Sequence, residues 1–291
     1  MLKKLFRLSA PFNILLAALT YSLGAGIAHY LGEDQNLAVF WLGLAGVLLV
    51  QGGMSLLGEV FRPHNEPLAE DLTPAERETL RNMLTLIAIA FLAGAALVAF
   101  LLQNEGALSP AALLFLSLSL LTVIAYAVPP LRLLGRGYGE FALSVHLAFI
   151  IPALGFVFQA GEYHRLVGMV TFPLTFLALA SFLALNFPTF AADQKYDRKT
   201  LLRVMGWKRA VPLHHFLVLA AYLLLAAALF FGVAWRLLWQ AFLTLPFAFF
   251  QIWQLRVISL GSRPIWKMLT INAQAVFGLT AYLLAFAFWM R

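Results

Sequence analysis

Nine long stretches of the chain contain no Lys, Arg, Asp or Glu, and this pattern constrains the fold more than any other feature. They cover residues 11–31, 37–57, 83–102, 110–128, 141–159, 166–190, 213–235, 237–255 and 268–290. Each has close to the roughly 20 residues that an α-helix needs to cross the hydrocarbon of a bilayer. A backbone in lipid must satisfy its own hydrogen bonds, and the stretches lack the alternation of a barrel strand. The sequence therefore predicts an all-α integral membrane protein with nine transmembrane helices.

Positive charge is divided unevenly between the two sides of such a protein. With the N-terminus in the cytoplasm, only Arg165, Arg236 and Arg291 of the 20 lysines and arginines fall outside. This bias predicts a cytoplasmic N-terminus and long, charged cytoplasmic loops at 58–82 and 191–212. The net charge of +7 is then assigned to contact with anionic lipid rather than with nucleic acid. We expect a single domain, 1–291, in the cell (inner) membrane, with no disulfide or thiolate metal site because cysteine is absent.

A hairpin between the fourth and fifth predicted helices carries the most specific motif. Residues 126–140 have the sequence YAVPPLRLLGRGYGE, in which two prolines end a helix and three glycines permit a tight return. Composition alone is equally compatible with an ordinary cytoplasmic turn. The full pattern, however, resembles the Tyr-x-x-Pro-Pro-x-Arg-Leu-x-x-Arg-Gly-x-Gly-Glu signature of the UbiA superfamily of intramembrane prenyltransferases. This resemblance assigns Tyr126, Arg132 and Arg136 to substrate binding.

A second segment follows the sixth predicted helix, where residues 187–201 have the sequence FPTFAADQKYDRKTL. It is similar to the menaquinone-pathway (1,4-dihydroxy-2-naphthoate prenyltransferase-like) branch of that superfamily, with its Phe-Pro-Asp-x-x-x-Asp pattern and following basic run. Asp193 takes the place of the second aspartate and Thr189 that of the first, whereas Asp197 stands where the branch usually has glycine. The cations assigned to substrate by this match are Lys195, Arg198 and Lys199. Without the resemblance, the segment indicates a solvated helix end whose aspartates pair with neighbouring cations.

A third segment, residues 55–67, follows the second predicted helix with the sequence SLLGEVFRPHNEP. The family pattern Asn-Asp-x-x-Asp-x-x-x-Asp maps onto Gly58, Glu59, Arg62 and Glu66. Two aspartates thus become glutamates, and an arginine replaces the middle one. Near the start of the first helix, Asn13 resembles a family asparagine and is assigned to substrate binding.

The resemblance implies transfer of an isoprenoid chain from a prenyl diphosphate to an aromatic, quinone-precursor-like acceptor within the membrane, in a central cavity. Mg²⁺ ions that bridge carboxylates to phosphate hold such a substrate and neutralise its leaving group, and basic side chains complete the site. The implied metal ligands are Glu59, Glu66, Asp193 and Asp197. The implied catalytic residues are Glu59, Arg62 and Asp193.

Arg62 and Thr189 stand where metal ligands are expected. These two residues leave a second function open. The fold then serves as a catalytically lapsed homologue that binds a quinone, pigment or other isoprenoid, or as a membrane subunit of a larger complex. In that case the acids and bases pair with each other. If activity persists, Arg62 replaces one metal as a phosphate clamp.

A small transporter is a third interpretation, because transporters need polar groups at the middle of the membrane. The main residues of this kind are His146, Asn272 and Gln274. Such residues more often form hydrogen bonds between helices, and we expect that role here.

Overall fold

The computed structural model describes residues 5–6, 8–63, 66, 68 and 73–291. In these ranges the helices are α1 (Pro11–Tyr30), α2 (Leu37–Val60), α3 (Pro74–Asn104), α4 (Pro110–Ala127), α5 (Gly139–Ala160), α6 (Arg165–Leu185), α7 (Phe190–Lys195), α8 (Leu201–Met205), α9 (Trp207–Phe230), α10 (Trp235–Ser259) and α11 (Trp266–Trp289). Helix α5 contains a π-helical segment, His146–Ile150, and α10 contains a 3-10 segment, Trp239–Thr244. All but the short α7 and α8 are long and apolar enough to cross a membrane, which gives nine spans within the described residues. The prediction of nine transmembrane helices is confirmed.

Two helix boundaries differ from those predicted from the uncharged stretches. Helix α3 begins at Pro74 rather than at Met83, because Thr73 and Glu76 form a capping box and proline is favoured in the first turn. The helix therefore continues beyond the uncharged stretch. The predicted sixth helix instead divides after Leu185, one turn before Pro188, whose ring cannot continue the helical hydrogen bonding. The short α7 is the separate piece that follows.

Close contacts between helix backbones depend on glycine. A Cβ atom on Gly24 of α1 would lie 1.8 Å from the carbonyl oxygen of Pro152 in α5. A Cβ on Gly155 of α5 would lie 2.2 Å from the carbonyl oxygen of Tyr21. Small residues permit such packing in membranes, where van der Waals contact rather than hydrophobic burial drives helix association. This packing joins α1 to α5 in the core of the bundle.

The outer surface and the buried polar groups agree with a membrane environment. Large apolar side chains are exposed along the helices, including Phe230, Leu223 and Leu86. Inside, the His146 ring pairs with Ser119 Oγ at 2.9 Å and with Gln51 Oε1 at 3.1 Å. The amide of Asn272 donates to the carbonyl oxygen of Phe247 at 2.9 Å. His146 and Asn272 therefore make the helix-to-helix hydrogen bonds expected of them.

Because consecutive spans are antiparallel, the connections α2–α3, α4–α5, α6–α9 and α10–α11 emerge at one end of the bundle, here called the loop end. A layer of buried apolar side chains from α6, α8, α9, α10 and α11 closes the interior just beneath this end. Its largest members are Phe187, Leu183, Leu202, Leu255 and Leu269. This layer supports the segments that carry the motifs.

Candidate functional site

The three motif segments meet around a cavity of about 200 Å³ at the loop end. Its lining combines the last turn of α2, the α4–α5 hairpin and the α7–α8 connection. The residues are Gly58, Glu59, Arg62, Pro63, Glu66, Arg132, Leu134, Gly135, Tyr196, Asp197, Arg198 and Lys199. Three segments that are far apart in the sequence thus face one space, rich in charge.

In the first segment, Arg62 lies between two carboxylates. One guanidinium nitrogen forms an ion pair with Glu59, and Nη1 lies 3.2 Å from Glu66 Oε1. The three side chains are largely withdrawn from water, with exposed fractions of 16% for Arg62, 17% for Glu59 and 10% for Glu66. Arg62 therefore occupies the space between the two acids that are predicted metal ligands.

In the second segment, Asp193 is only 3% exposed and does not line the cavity. Its Oδ2 atom accepts hydrogen bonds from Thr189 Oγ1 at 3.0 Å and from Thr200 Oγ1 at 3.5 Å. Burial raises the pKa of the Asp193 carboxyl, although nearby Arg198 acts in the opposite direction. Asp193 thus joins α7 to the start of α8, and Thr189 donates to the carboxylate instead of supplying one.

Arg203 holds together the turn between α7 and α8, a role that is not predicted from the sequence. Its Nη1 donates to the carbonyl oxygens of Asp193 at 3.2 Å and of Arg198 at 3.3 Å, and Nη2 pairs with Asp197 Oδ1 at 2.5 Å. The hydrogen bond and charge of Arg203 lower the pKa of Asp197, whose backbone has a φ of 55°. Asp197 is therefore ion-paired with Arg203. No sequence signal distinguishes Arg203 from the other cations of this basic run.

Arg198 connects the two segments across the cavity, with Nη1 3.7 Å from Glu66 Oε1. Burial alone lowers the pKa of its guanidinium, but the carboxylates of Glu66, Asp193 and Glu59 outweigh burial and raise it. Arg198 is consequently a permanent cation held between acids from both sides.

Arg132 brings a further cation from the α4–α5 hairpin. Its backbone adopts a left-handed conformation with φ of 35°, which costs energy for a residue other than glycine and is found at functional sites. The side chain lies over Gly135, where an added Cβ would be 2.6 Å from Nη1. Its Nε atom is buried without a hydrogen-bond partner, and no carboxylate of the described residues lies within ion-pair distance. Burial lowers the pKa of this guanidinium.

Glu140, the last residue of the hairpin motif, holds the loop end together. Its Oε1 accepts hydrogen bonds from Asn186 Nδ2 at 2.5 Å and from the backbone N–H of Leu201 at 3.3 Å. These bonds join the hairpin to the end of α6 and to the start of α8. Glu140 is part of the hairpin motif, but no function is predicted for it from the sequence.

Four other predicted substrate residues do not line the cavity. Tyr126 lies in the last turn of α4, where its ring approaches Gly58 at the cavity wall. Asn13 lies in the first turn of α1. Arg136 is exposed and donates to the carbonyl oxygen of Pro130 at 2.7 Å, and Lys195 is exposed over the ring of Tyr196.

Comparison with known protein families gives a match to the UbiA prenyltransferase family over residues 17–273. The chain belongs to this family. A search of curated protein sequences found no match.

Solved structures of UbiA proteins share the fold at low sequence identity. A UbiA homologue from Archaeoglobus fulgidus, bound to GPP and Mg²⁺, has a TM-score of 0.69 at 18% identity, with 99% of this chain and 100% of that chain covered. Digeranylgeranylglyceryl phosphate synthase has a TM-score of 0.58 at 13% identity, with 99% and 97% covered. An apo UbiA homologue from Aeropyrum pernix K1 has a TM-score of 0.52 at 11% identity, with 94% and 96% covered.

A divalent metal fits the residues of this site poorly. Among the described residues, no three His, Cys, Asp or Glu side chains are grouped as metal ligands. The four predicted ligands are instead divided among other partners: Glu59 and Glu66 contact Arg62, Asp193 contacts two threonines, and Asp197 contacts Arg203. The donor set therefore lacks the convergent carboxylates that Mg²⁺ requires.

Proposed function

We propose that this protein transfers an isoprenoid chain from a prenyl diphosphate to an aromatic acceptor at the loop end of the bundle. The observation that carries the proposal is the charge of the cavity. Among its described lining residues, Arg62, Arg132, Arg198 and Lys199 outnumber the carboxylates of Glu59, Glu66 and Asp197. An excess of fixed cations at a membrane surface suits a diphosphate whose hydrocarbon chain extends into the lipid.

The reaction proceeds by electrophilic alkylation. The bond between the allylic carbon and the diphosphate oxygen breaks, and the diphosphate leaves with the electron pair. Arg132 and Arg198 stabilise the negative charge that develops on the leaving group, because cations already fixed where charge develops need no reorganisation during the reaction. An aromatic carbon of the acceptor then bonds to the allylic carbon, and its ring proton passes to the released diphosphate.

The acceptor is proposed to be a quinone precursor such as 1,4-dihydroxy-2-naphthoate. This assignment rests on the resemblance of residues 187–201 to the menaquinone-pathway branch. The proposed orientation, with the loop end in the cytoplasm, rests on the distribution of lysine and arginine. A charged diphosphate then reaches the cavity from water, whereas the acceptor and the isoprenoid chain approach through the membrane.

The test uses the purified full chain in lipid nanodiscs with radiolabelled geranyl diphosphate and 1,4-dihydroxy-2-naphthoate, with excess MgCl₂. We expect a prenylated aromatic product that disappears in Arg198→Gln and persists in Arg209→Gln. Arg209 is an exposed arginine of α9 outside the cavity and serves as the matched control. Absence of product across a panel of hydroxylated aromatic acids would rule out the proposed transfer.

Binding without catalysis is the second function that a specific observation favours. The two acids of the first segment are both ion-paired with Arg62, so they are not available to act on a reacting centre. In that case the protein holds an isoprenoid diphosphate or quinone for another protein. Binding of geranyl diphosphate without any product would support this alternative, and absence of geranyl diphosphate binding would exclude both the transfer and the holding of a prenyl diphosphate.

A further inference from the structure

We infer that this site binds the diphosphate with guanidinium groups in place of divalent metal ions, so that binding needs no Mg²⁺. The inference rests on the proposed function, because it takes a prenyl diphosphate as the ligand. It concerns the chemistry by which this chain, rather than the family as a whole, holds that ligand. Arg62 is the residue on which it depends.

The position of Arg62 is the first step of the argument. Mg²⁺ binds carboxylate oxygens at about 2.0–2.1 Å in a nearly octahedral shell. The oxygens that would supply this shell in the first segment already contact the Arg62 guanidinium, with Glu66 Oε1 at 3.2 Å. A metal entering between Glu59 and Glu66 would have to displace a guanidinium that is mostly buried. Arg62 therefore substitutes for the metal as the cation between the acids.

The second segment shows a matching change. Thr189 stands at the position of an expected carboxylate and donates its hydroxyl hydrogen to Asp193 Oδ2. Thr200 donates to the same oxygen atom, at 3.5 Å. In both segments, the side chains predicted to bind metal therefore form ion pairs or hydrogen bonds with other side chains of the protein. A single altered residue would not explain this agreement between two distant segments.

The cations that line the cavity point to an anionic ligand. Arg132 lines the cavity without a paired carboxylate among the described residues, and its buried Nε atom has no hydrogen-bond partner. Its strained backbone and the space above Gly135 place its guanidinium at this wall. Across the cavity lie Arg198 and Lys199. Guanidinium groups bind phosphate oxygens in bidentate fashion, so these side chains can hold a diphosphate directly.

The experiment measures the dissociation constant of radiolabelled geranyl diphosphate for the full chain in nanodiscs, once with EDTA and once with excess MgCl₂. We expect the two values to agree within about threefold, because the charges that hold the ligand belong to the protein. Binding that is detected only with MgCl₂ overturns the inference but leaves the proposed ligand intact. Absence of binding in both conditions overturns the proposed function as well.

A variant distinguishes the role of Arg62 from a general effect of charge. Arg62→Asp restores the acid of the family pattern, and we expect binding in EDTA to weaken about tenfold or more and to recover when MgCl₂ is added. Arg209→Asp changes the charge of the loop end equally but should leave binding insensitive to MgCl₂. If Arg62→Asp binds as tightly as the unaltered chain in EDTA, the inference is wrong.

Misfolding of Arg62→Asp is controlled by a second, milder variant. Arg62→Lys keeps the positive charge between the acids and loses the planar fork of donors. We expect it to bind several-fold more weakly than the unaltered chain while remaining insensitive to EDTA. Sensitivity of Arg62→Lys to EDTA at the level of Arg62→Asp would contradict the assignment.

Discussion

The two segments that face each other across the cavity contribute opposite charges to it. The α2 end presents Glu59 and Glu66, and both are held by Arg62. The α7–α8 connection buries Asp193 among threonines and presents Arg198 and Lys199 instead. One side thus supplies two acids paired with a single arginine, and the other supplies cations.

This difference shows that the charges of the site are distributed unevenly between its two sides. Hydrogen bonds accepted by Glu140 and donated by Arg203 fix the loops that carry the motif residues. The carboxylates, by contrast, are each bound by a side chain of the protein. The loops of the loop end are thus held by hydrogen bonds, and the charges of the cavity support the proposed anionic ligand.

Removal of Arg198 tests the cationic side and should have the largest effect. Arg198→Gln deletes the charge that links the two segments, and charge-assisted hydrogen bonds to phosphate are each worth about 1.5–3 kcal/mol. We expect the dissociation constant of geranyl diphosphate to rise about 10- to 100-fold in a binding assay. An unchanged constant, with Arg209→Gln as the reference, would show that the α7–α8 connection does not hold the ligand.

Crowding of Arg132 tests the contribution of the hairpin. In Gly135→Ala the new methyl group would lie 2.6 Å from Arg132 Nη1 and must push the guanidinium aside. We expect binding to weaken about three- to tenfold. The matched control is Gly278→Ala in α11, where the new Cβ meets Leu16 at an ordinary 3.5 Å and binding should not change. If the two variants bind geranyl diphosphate equally well, Arg132 does not contribute to binding.

The buried acid gives a pH-dependent prediction. Because burial raises the pKa of Asp193 above 3.8, the folded protein holds this proton more tightly than the unfolded chain does. The resulting stabilisation is present below pH 3.8 and is lost as the pH rises through the raised pKa. Asp193→Asn does not titrate, and its amide oxygen can still accept from the threonines. The Tm of the unaltered chain should therefore fall by a few degrees relative to the variant between acid and neutral pH.

Thermal unfolding in nanodiscs, followed by tryptophan fluorescence, measures this difference. A difference between the two Tm values that stays constant with pH would mean that burial does not raise the pKa of Asp193. A gap of opposite sign would mean that ion pairing with Arg198 outweighs burial.

The exposed pair of Asp197 and Arg203 should matter least. Its carboxylate is 71% exposed, and water and salt screen such pairs. We expect Asp197→Asn at neutral pH to change the geranyl diphosphate dissociation constant less than twofold. A change above tenfold would identify Asp197 as a ligand of the substrate rather than a partner of Arg203.

The sequence predicted the nine spans of the described residues because hydrophobic length is a local signal. It also located the three segments around the cavity, because Glu59, Arg62, Arg132 and Arg198 lie in recognisable motifs. It could not predict the partners of each charge, since these depend on which loops meet in space. Glu140 and Arg203 were missed for the same reason.

The central claim, that the loop-end cavity is the diphosphate site, can be tested by chemical protection. The chain has no native cysteine, so a single introduced thiol reports one position. Leu134→Cys lies in the cavity wall, and Phe231→Cys lies in the α9–α10 connection at the opposite end. Geranyl diphosphate should slow maleimide labelling of Leu134→Cys and leave Phe231→Cys unaffected. Equal labelling rates with and without the ligand at Leu134→Cys, in a variant that still binds it, would contradict the account.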